Sequence, residues 1–334
     1  MSDIGKRILV EGIMHLGDLI ASSAIIGPLK REYPDSHITY LITPGMETAI
    51  ESMPQVDDYI VYRYKSGGDI KGVWELSRKM KRGNYDIFVS FDPRDRTAIA
   101  ALLGAIPVRI ASGSVFGWHV NGFKRSFYTN FVSLSDYDLD NHLTGEAFLE
   151  SVKRLFATSI KAEDRPCLKV SEGIFESLQQ ADKVNLQSGS YVCMCLSTVD
   201  SRRSWPIEYW VETIKQVLTM LGPVILIGTK DDNDLAEQTE KMLPESFQDK
   251  VTNLCGKTSL EELFAILQNA KLTVNIDNGV GHMAAALGCP TLTLFPTKNP
   301  KRFLPMSDKA RAVTPKKQGE QITLEQVLSE VKQF

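Results

Sequence analysis

Between Val274 and Phe295 the chain reads VNIDNGVGHMAAALGCPTLTLF, an apolar run and an alanine-rich helical run separated by Asp277, Asn278, Gly279, Gly281 and His282. Free N–H groups at a helix N-terminus form an anion site, and glycine permits close approach because it has no side chain. His282 is then either a hydrogen-bond donor to that anion or a satisfied core histidine. A second candidate is LSTVDSRRSWPIEYW, residues 196–210, where Ser197 and Thr198 follow an apolar run, Arg202 and Arg203 come next, and Pro206 stands at a helix start. Guanidinium donors beside hydroxyls suit a phosphate, and an exposed basic loop is the alternative. The third is GIMHLGDLIASSA, residues 12–24. It lacks the GxGxxG of a dinucleotide fold, but Asp18 follows Gly17 where a helix begins. Asp18 either complements the helix dipole or acts as a general base on a substrate hydroxyl. Lys257, Thr258 and Ser259 in LCGKTSL precede another helix, without the upstream glycine of a P-loop.

These residues need elements to hold them, and the pattern supplies strands alternating with helices. Apolar runs at residues 8–10 and 38–42 flank a helix-period segment over 19–32, the β-turn-α-β unit of a parallel sheet. The alternation continues with strands at 59–61, 86–91 and 108–110 and helices at 73–82 and 96–103. Residues 113–139 turn irregular and aromatic and read as a long loop or lid. A helix over 141–156 follows, and then a polar, proline-bearing linker at 159–170. The second series has strands at 191–196, 223–227, near 251, 272–276 and 291–295. Its helices are expected at 207–220, 231–242, 259–269, 279–287 and 323–334. Two successive doubly wound parallel sheets are the predicted fold, with ligands at the carboxyl ends of the strands and a substrate cleft between the units.

A chain of 334 residues with 43% hydrophobic and 24% charged residues suits two medium globular domains. The net charge of −3 leaves no cationic footprint for nucleic acid, which is set aside as a partner. Five cysteines with no CxxC and histidine pattern read as small buried hydrophobes in a reducing compartment. No run reaches the ~18 apolar residues of a membrane span and the first residues have no signal-peptide core, so a cytoplasmic protein is expected, peripheral contact with a membrane surface being left open.

In order along the chain, RILVEGIMHLGDLIASSAIIGPLKREYPDSHITYLI, YDIFVSFDPRDRTAIAALLGAIPVRI, DNHLTGEAFLESV, RRSWPIEYW, NLCGKTSLEELFAIL and DNGVGHMAAALGCPTLTLF resemble the heptosyltransferases of lipopolysaccharide assembly, glycosyltransferase family 9. The resemblance runs over residues 7–305. It implies a GT-B fold, two Rossmann-like domains facing a cleft. Residues 1–165 would bind the acceptor and residues 166–320 the nucleotide sugar, with a terminal helix over 321–334 packing back on the N-terminal domain. It further implies an inverting glycosyltransferase that moves a heptose or similar sugar, typically from ADP-heptose, to a hydroxyl acceptor such as a lipopolysaccharide core sugar or another glycan. No metal or cofactor is expected.

Carried over by residue, the resemblance makes Asp18 of LGD the base on the acceptor hydroxyl. Arg203 stands where the family usually has lysine against the diphosphate, and Thr198 where it has a hydroxyl. The family's D-[Ser/Thr]-G-x-x-H becomes Asp277, Asn278, Gly279 and His282, a carboxamide replacing the hydroxyl. Lys257 and Thr258 fall near the base, and Asp232 near the ribose. DPRD, Asp92 to Asp95, looks like a metal pair but lies in the acceptor half, where Arg94 and Arg96 either meet an anionic acceptor or lie on a solvated surface. Two other readings remain open: a GT-B nucleotide-sugar epimerase, and a nucleotide-sugar-binding or assembly protein without transfer activity.

Overall fold

The computed structural model describes residues 5–63, 69–181, 187–198, 203–317 and 319–334. The chain divides into two compact units, Met1–Cys167 and Leu168–Phe334. In the first, strands β1 (Arg7–Gly12), β2 (His37–Ile42), β3 (Asp58–Val61), β4 (Ile87–Ser90), β5 (Val108–Ser112) and β6 (Asn130–Val132) form one parallel sheet in the order β3-β2-β1-β4-β5-β6. In the second, β7 (Val192–Cys195), β8 (Val224–Leu226), β9 (Val251–Asn253), β10 (Leu272–Ile276), β11 (Thr291–Leu294) and β12 (Ala310–Val313) pair in parallel as β12-β11-β10-β7-β8-β9. Helices cover the sheets, so strands buried on both faces read as continuous apolar runs. Ile8 to Val10 and Leu272 to Ile276 are wholly buried for that reason. Strand order reverses between β1 and β4 in one unit and between β7 and β10 in the other, and ligands of open α/β sheets sit at the carboxyl ends beside such a reversal.

Several expectations change. The helix predicted over residues 19–32 starts earlier and is broken into Leu16–Ser22, a 3-10 turn at Ser23–Ile25, and Ile26–Glu32. Ser22 and Ser23 turn their hydroxyls back onto the carbonyls of Leu19 and Ile20, both at 2.7 Å, and Pro28 has no N–H to continue the ladder. The 113–139 stretch is only partly loop: it holds the Gly122–Arg125 helix, and β6 closes one edge of the sheet. Trp118 and Phe123 remain exposed there.

The terminal helix is part of the second unit. Val327 and Val331 of Leu324–Val331 are buried in the same core as Trp205, Trp210 and Ile214, and Trp205 Nε1 donates to Ile322 O at 2.9 Å just before the helix. Among the cysteines, Cys167 is exposed where the two units meet in sequence, whereas the other four are buried as expected. The linker is anchored as well: Arg31 grips buried Asp164 with two guanidinium nitrogens at 2.8 and 2.6 Å.

Candidate active site

The polar residues of the second unit converge at the ends of β7, β10 and β11. Asp277 follows β10 directly, and its side chain is 7% exposed. Arg203 Nη1 donates to both Asp277 Oδ2 (2.7 Å) and Asp277 O (3.0 Å). Thr198 Oγ1, beyond β7, donates to the same carbonyl at 3.5 Å. Lys298, beyond β11, places Nζ 3.0 Å from Asp277 Oδ2 and lies over the Phe303 ring. One buried carboxylate therefore holds two cations side by side, the arrangement that stabilises a buried charge. Arg202 lies outside the described residues.

Asn278 is the N-cap of the Gly279–Ala286 helix. Its backbone is extended and its Oδ1 accepts from Val280 N at 2.9 Å. The amide nitrogen donates to Ser197 O at 2.9 Å and to Cys195 Sγ at 3.2 Å. A serine or threonine hydroxyl can cap the same helix, but its single proton cannot serve both of those acceptors. The carboxamide thus ties the end of β7 to the helix head. Gly279 opens the helix and is partly exposed, whereas Gly281 turns toward the sheet. A Cβ on Gly281 would stand 3.0 Å from Asn275 Nδ2 and 3.1 Å from Thr293 Oγ1, so this glycine serves helix–sheet packing rather than ligand approach.

His282, one turn into the helix, is partly buried, and desolvation pushes its pKa down to about 4, against the pull of Asp277 and with a smaller push from Lys298. The imidazole is therefore neutral at pH 7. Unfolded, it would take a proton near its ordinary 6.5, so its contribution to stability is complete above that value and is lost as pH falls toward about 4. Replacing His282 by Asn should flatten the fall in melting temperature over that window; an unchanged fall would assign it to other groups.

Asp232 lies beyond β8, and Lys257 and Thr258 lie beyond β9. Asp232 Oδ2 accepts from Thr229 N (2.6 Å) and Thr229 Oγ1 (2.8 Å), and Lys257 Nζ donates to Asn253 O at 2.9 Å. Thr258 precedes Ser259, the cap of Leu260–Gln268. Among the described residues no hydrogen bond joins these three to the Asp277 group.

In the first unit Asp18 sits in the first turn of Leu16–Ser22, partly buried, after a tight turn that leaves the end of β1. Gly12 is required in that turn, since a Cβ would stand 2.9 Å from both Leu19 and Tyr40. Beyond β4, Arg94 Nη2 pairs with Asp92 Oδ2 at 3.0 Å, and Ser114 Oγ donates to Asp92 Oδ1 at 2.6 Å. Arg96 lies in the first turn of Asp95–Leu103 and is partly buried. No group of three or more His, Cys, Asp or Glu side chains able to hold a metal occurs among the described residues.

Two residues stand out that the sequence patterns did not single out. Lys298 carried no motif, because its pairing with Asp277 depends on β11 lying beside β10. Glu11, just past the apolar run at 8–10, lies inside β1, and buried Leu9 and Ile13, two residues to either side, mark it as a buried acid.

Two doubly wound units in tandem, each with a six-stranded parallel sheet, are the architecture of the GT-B class of glycosyltransferases. The model of glycosyltransferase family 9 (heptosyltransferase) matches residues 73–332, and the chain belongs to that family. Lipooligosaccharide heptosyltransferase 2 of Haemophilus influenzae is 25% identical over 316 residues, covering 92% of this chain and 88% of the relative. The family 9 glycosyl transferase of Veillonella parvula superposes with a TM-score of 0.86 at 21% identity, covering 100% of this chain and 98% of that one. The ADP-heptose lipopolysaccharide heptosyltransferase II of E. coli gives 0.81 at 22% identity, with 98% of each chain covered. The protein is a glycosyltransferase. Among the described residues no helix is long and apolar enough to cross a membrane.

Proposed function

We propose that this enzyme transfers a heptose or similar sugar from ADP-heptose to a hydroxyl of a lipopolysaccharide core sugar or related glycan, in the cytoplasm, with inversion and without a metal. The observation that carries the reading is the convergence of Arg203, Lys298 and Thr198 on Asp277 beside the Gly279–Ala286 helix head. As the acceptor oxygen attacks the anomeric carbon, negative charge gathers on the departing diphosphate. Two cations and helix N–H groups are suited to receive it. Asp18 takes the proton of the acceptor hydroxyl, Asp232, Lys257 and Thr258 meet the nucleoside end, and Arg94 and Arg96 meet the acceptor.

A thermal-shift panel of ADP-, GDP-, UDP- and dTDP-sugars tests the donor. Stabilisation by ADP-heptose, unchanged by a chelator, is the expected result; stabilisation by another base class alone, or loss with the chelator, would overturn it.

His282 adds a proton-linked signature. A diphosphate beside a neutral imidazole favours its protonated form, so ADP binding at about pH 5.5 should take up protons. Calorimetry in two buffers of different ionisation enthalpy would show more uptake in the native enzyme than in His282→Asn. Equal uptake would place His282 away from the anion.

A further inference from the structure

Glu11 is a carboxylic acid in the middle of an apolar face. It is 2% exposed, on the side of β1 that carries Leu9 and Ile13 into a core with Phe88, Ala98 and Tyr128. Burying a carboxyl there is costly unless it is hydrogen-bonded. Two hydroxyls meet that need: Ser90 Oγ, at the end of β4, lies 2.5 Å from Oε2, and Thr97 Oγ1, in the first turn of Asp95–Leu103, lies 2.7 Å from Oε1. Thr97 Oγ1 is also 3.0 Å from Arg94 O. The carboxyl thus bridges β1, β4 and the helix after β4, under the turn that carries Asp92, Arg94 and Arg96. It sits beside the strand-order reversal of the first unit, where open α/β sheets bind ligands.

We infer that Glu11 is a positioning residue for this turn, fixing it from beneath through Ser90 and Thr97 and setting by its own charge how strongly Arg94 is held from an anionic acceptor. Among the described residues the charged and titratable groups around it are Asp92 and Arg94 from the turn and Tyr128 from the segment before β6, which Asp95 also influences; β2 presents apolar Leu41 in register. With Glu11 protonated, Arg94 and Asp92 form a neutral pair. With Glu11 ionised, Arg94 feels a second carboxylate besides Asp92 and that group of three carries a net negative charge. An anionic acceptor therefore meets a more favourable turn when Glu11 keeps its proton.

Burial, opposed by the two hydroxyls and by Arg94, moves that proton into the working range, the pKa rising from 4.5 to about 7. Between those values the folded protein binds the proton and the unfolded chain does not, so stability falls as pH rises through the interval and stays low above it.

The acceptor consequence rests on the transferase reading; the structural claim does not. Melting temperatures of the full chain from pH 5 to 9 compare the native protein with Glu11→Gln, which keeps the hydrogen-bonding shape without the charge. The native curve should drop by roughly 5 °C relative to the variant across the interval. Hydrogen exchange of the segment around residues 91–97 should accelerate at least tenfold in Glu11→Leu and stay near native in Glu11→Gln. If Glu11→Leu does not fold, Thr97→Val removes one tie and should loosen the same segment. Parallel melting curves, or unchanged exchange in the variant lacking a tie, overturn the inference. Where the acceptor is anionic, Glu11→Gln should flatten the pH dependence of its KM and leave kcat near native; a shift confined to kcat would also overturn it. If no sugar is transferred at all, the transferase proposal fails while melting and exchange still decide the part played by Glu11.

Discussion

Asp18→Asn is expected to lower kcat by about 10²–10⁴-fold, the usual contribution of a positioned general base. Asparagine keeps the size and one acceptor oxygen of aspartate but cannot take the proton of the attacking hydroxyl. The fold should survive, because asparagine is nearly isosteric with aspartate and the helix-dipole contribution of an acid in the first turn of Leu16–Ser22 is about 0.3–1 kcal/mol. On the proposed reading donor binding belongs to residues of the other unit, so the thermal shift given by the nucleotide sugar should match the native enzyme. Initial rates with the donor that the sugar panel selects, at saturating acceptor, provide the measurement. A rate within threefold of native would remove Asp18 from the proton transfer and place the base elsewhere.

The parts of this molecule that can be read from its sequence are those set by local pattern. Strands such as Ile8 to Val10 and Leu272 to Ile276 are legible because a parallel strand covered on both faces has no polar side to interrupt it. Asp277, Asn278 and Arg203 were visible because they break such runs at strand ends. Tertiary pairing was not visible. β12 is a short edge strand, Ala310–Val313, with Arg311 exposed, and only its register against β11 makes it a strand. Lys298 becomes part of the site through the β10–β11 neighbourhood, which no local spacing encodes. Glu11 illustrates the opposite failure. The acid ended the apolar run on paper, yet the resumption at Ile13 was the signal that the strand continued and the carboxyl was inside.

Arg203→Ala should damage stability and donor binding together, and a second substitution separates the two. Asp277 is 7% exposed and Arg203 15%, so removing the guanidinium leaves a buried carboxylate with one remaining cation among the described residues, Lys298, which is 40% exposed. Breaking a buried pair costs about 3–5 kcal/mol when nothing replaces the lost charge; Lys298 stays in place, so the low end of that range is expected. Arg203 makes both contacts through the one nitrogen Nη1, so Arg203→Lys keeps the charge and enough donors but loses the rigid placement of the guanidinium, and should fall between the two. Asp277→Asn combined with Arg203→Ala removes both charges and should recover most of the lost stability. If the guanidinium only neutralises Asp277, the double variant should also recover affinity for the nucleotide diphosphate. If it also meets the diphosphate, affinity stays roughly 10–100-fold below native, the loss of one charge-assisted contact of about 1.5–3 kcal/mol. Urea unfolding and calorimetric titration with ADP over the four members of the cycle distinguish these outcomes, since only a direct contact leaves binding impaired once the buried charge has been removed.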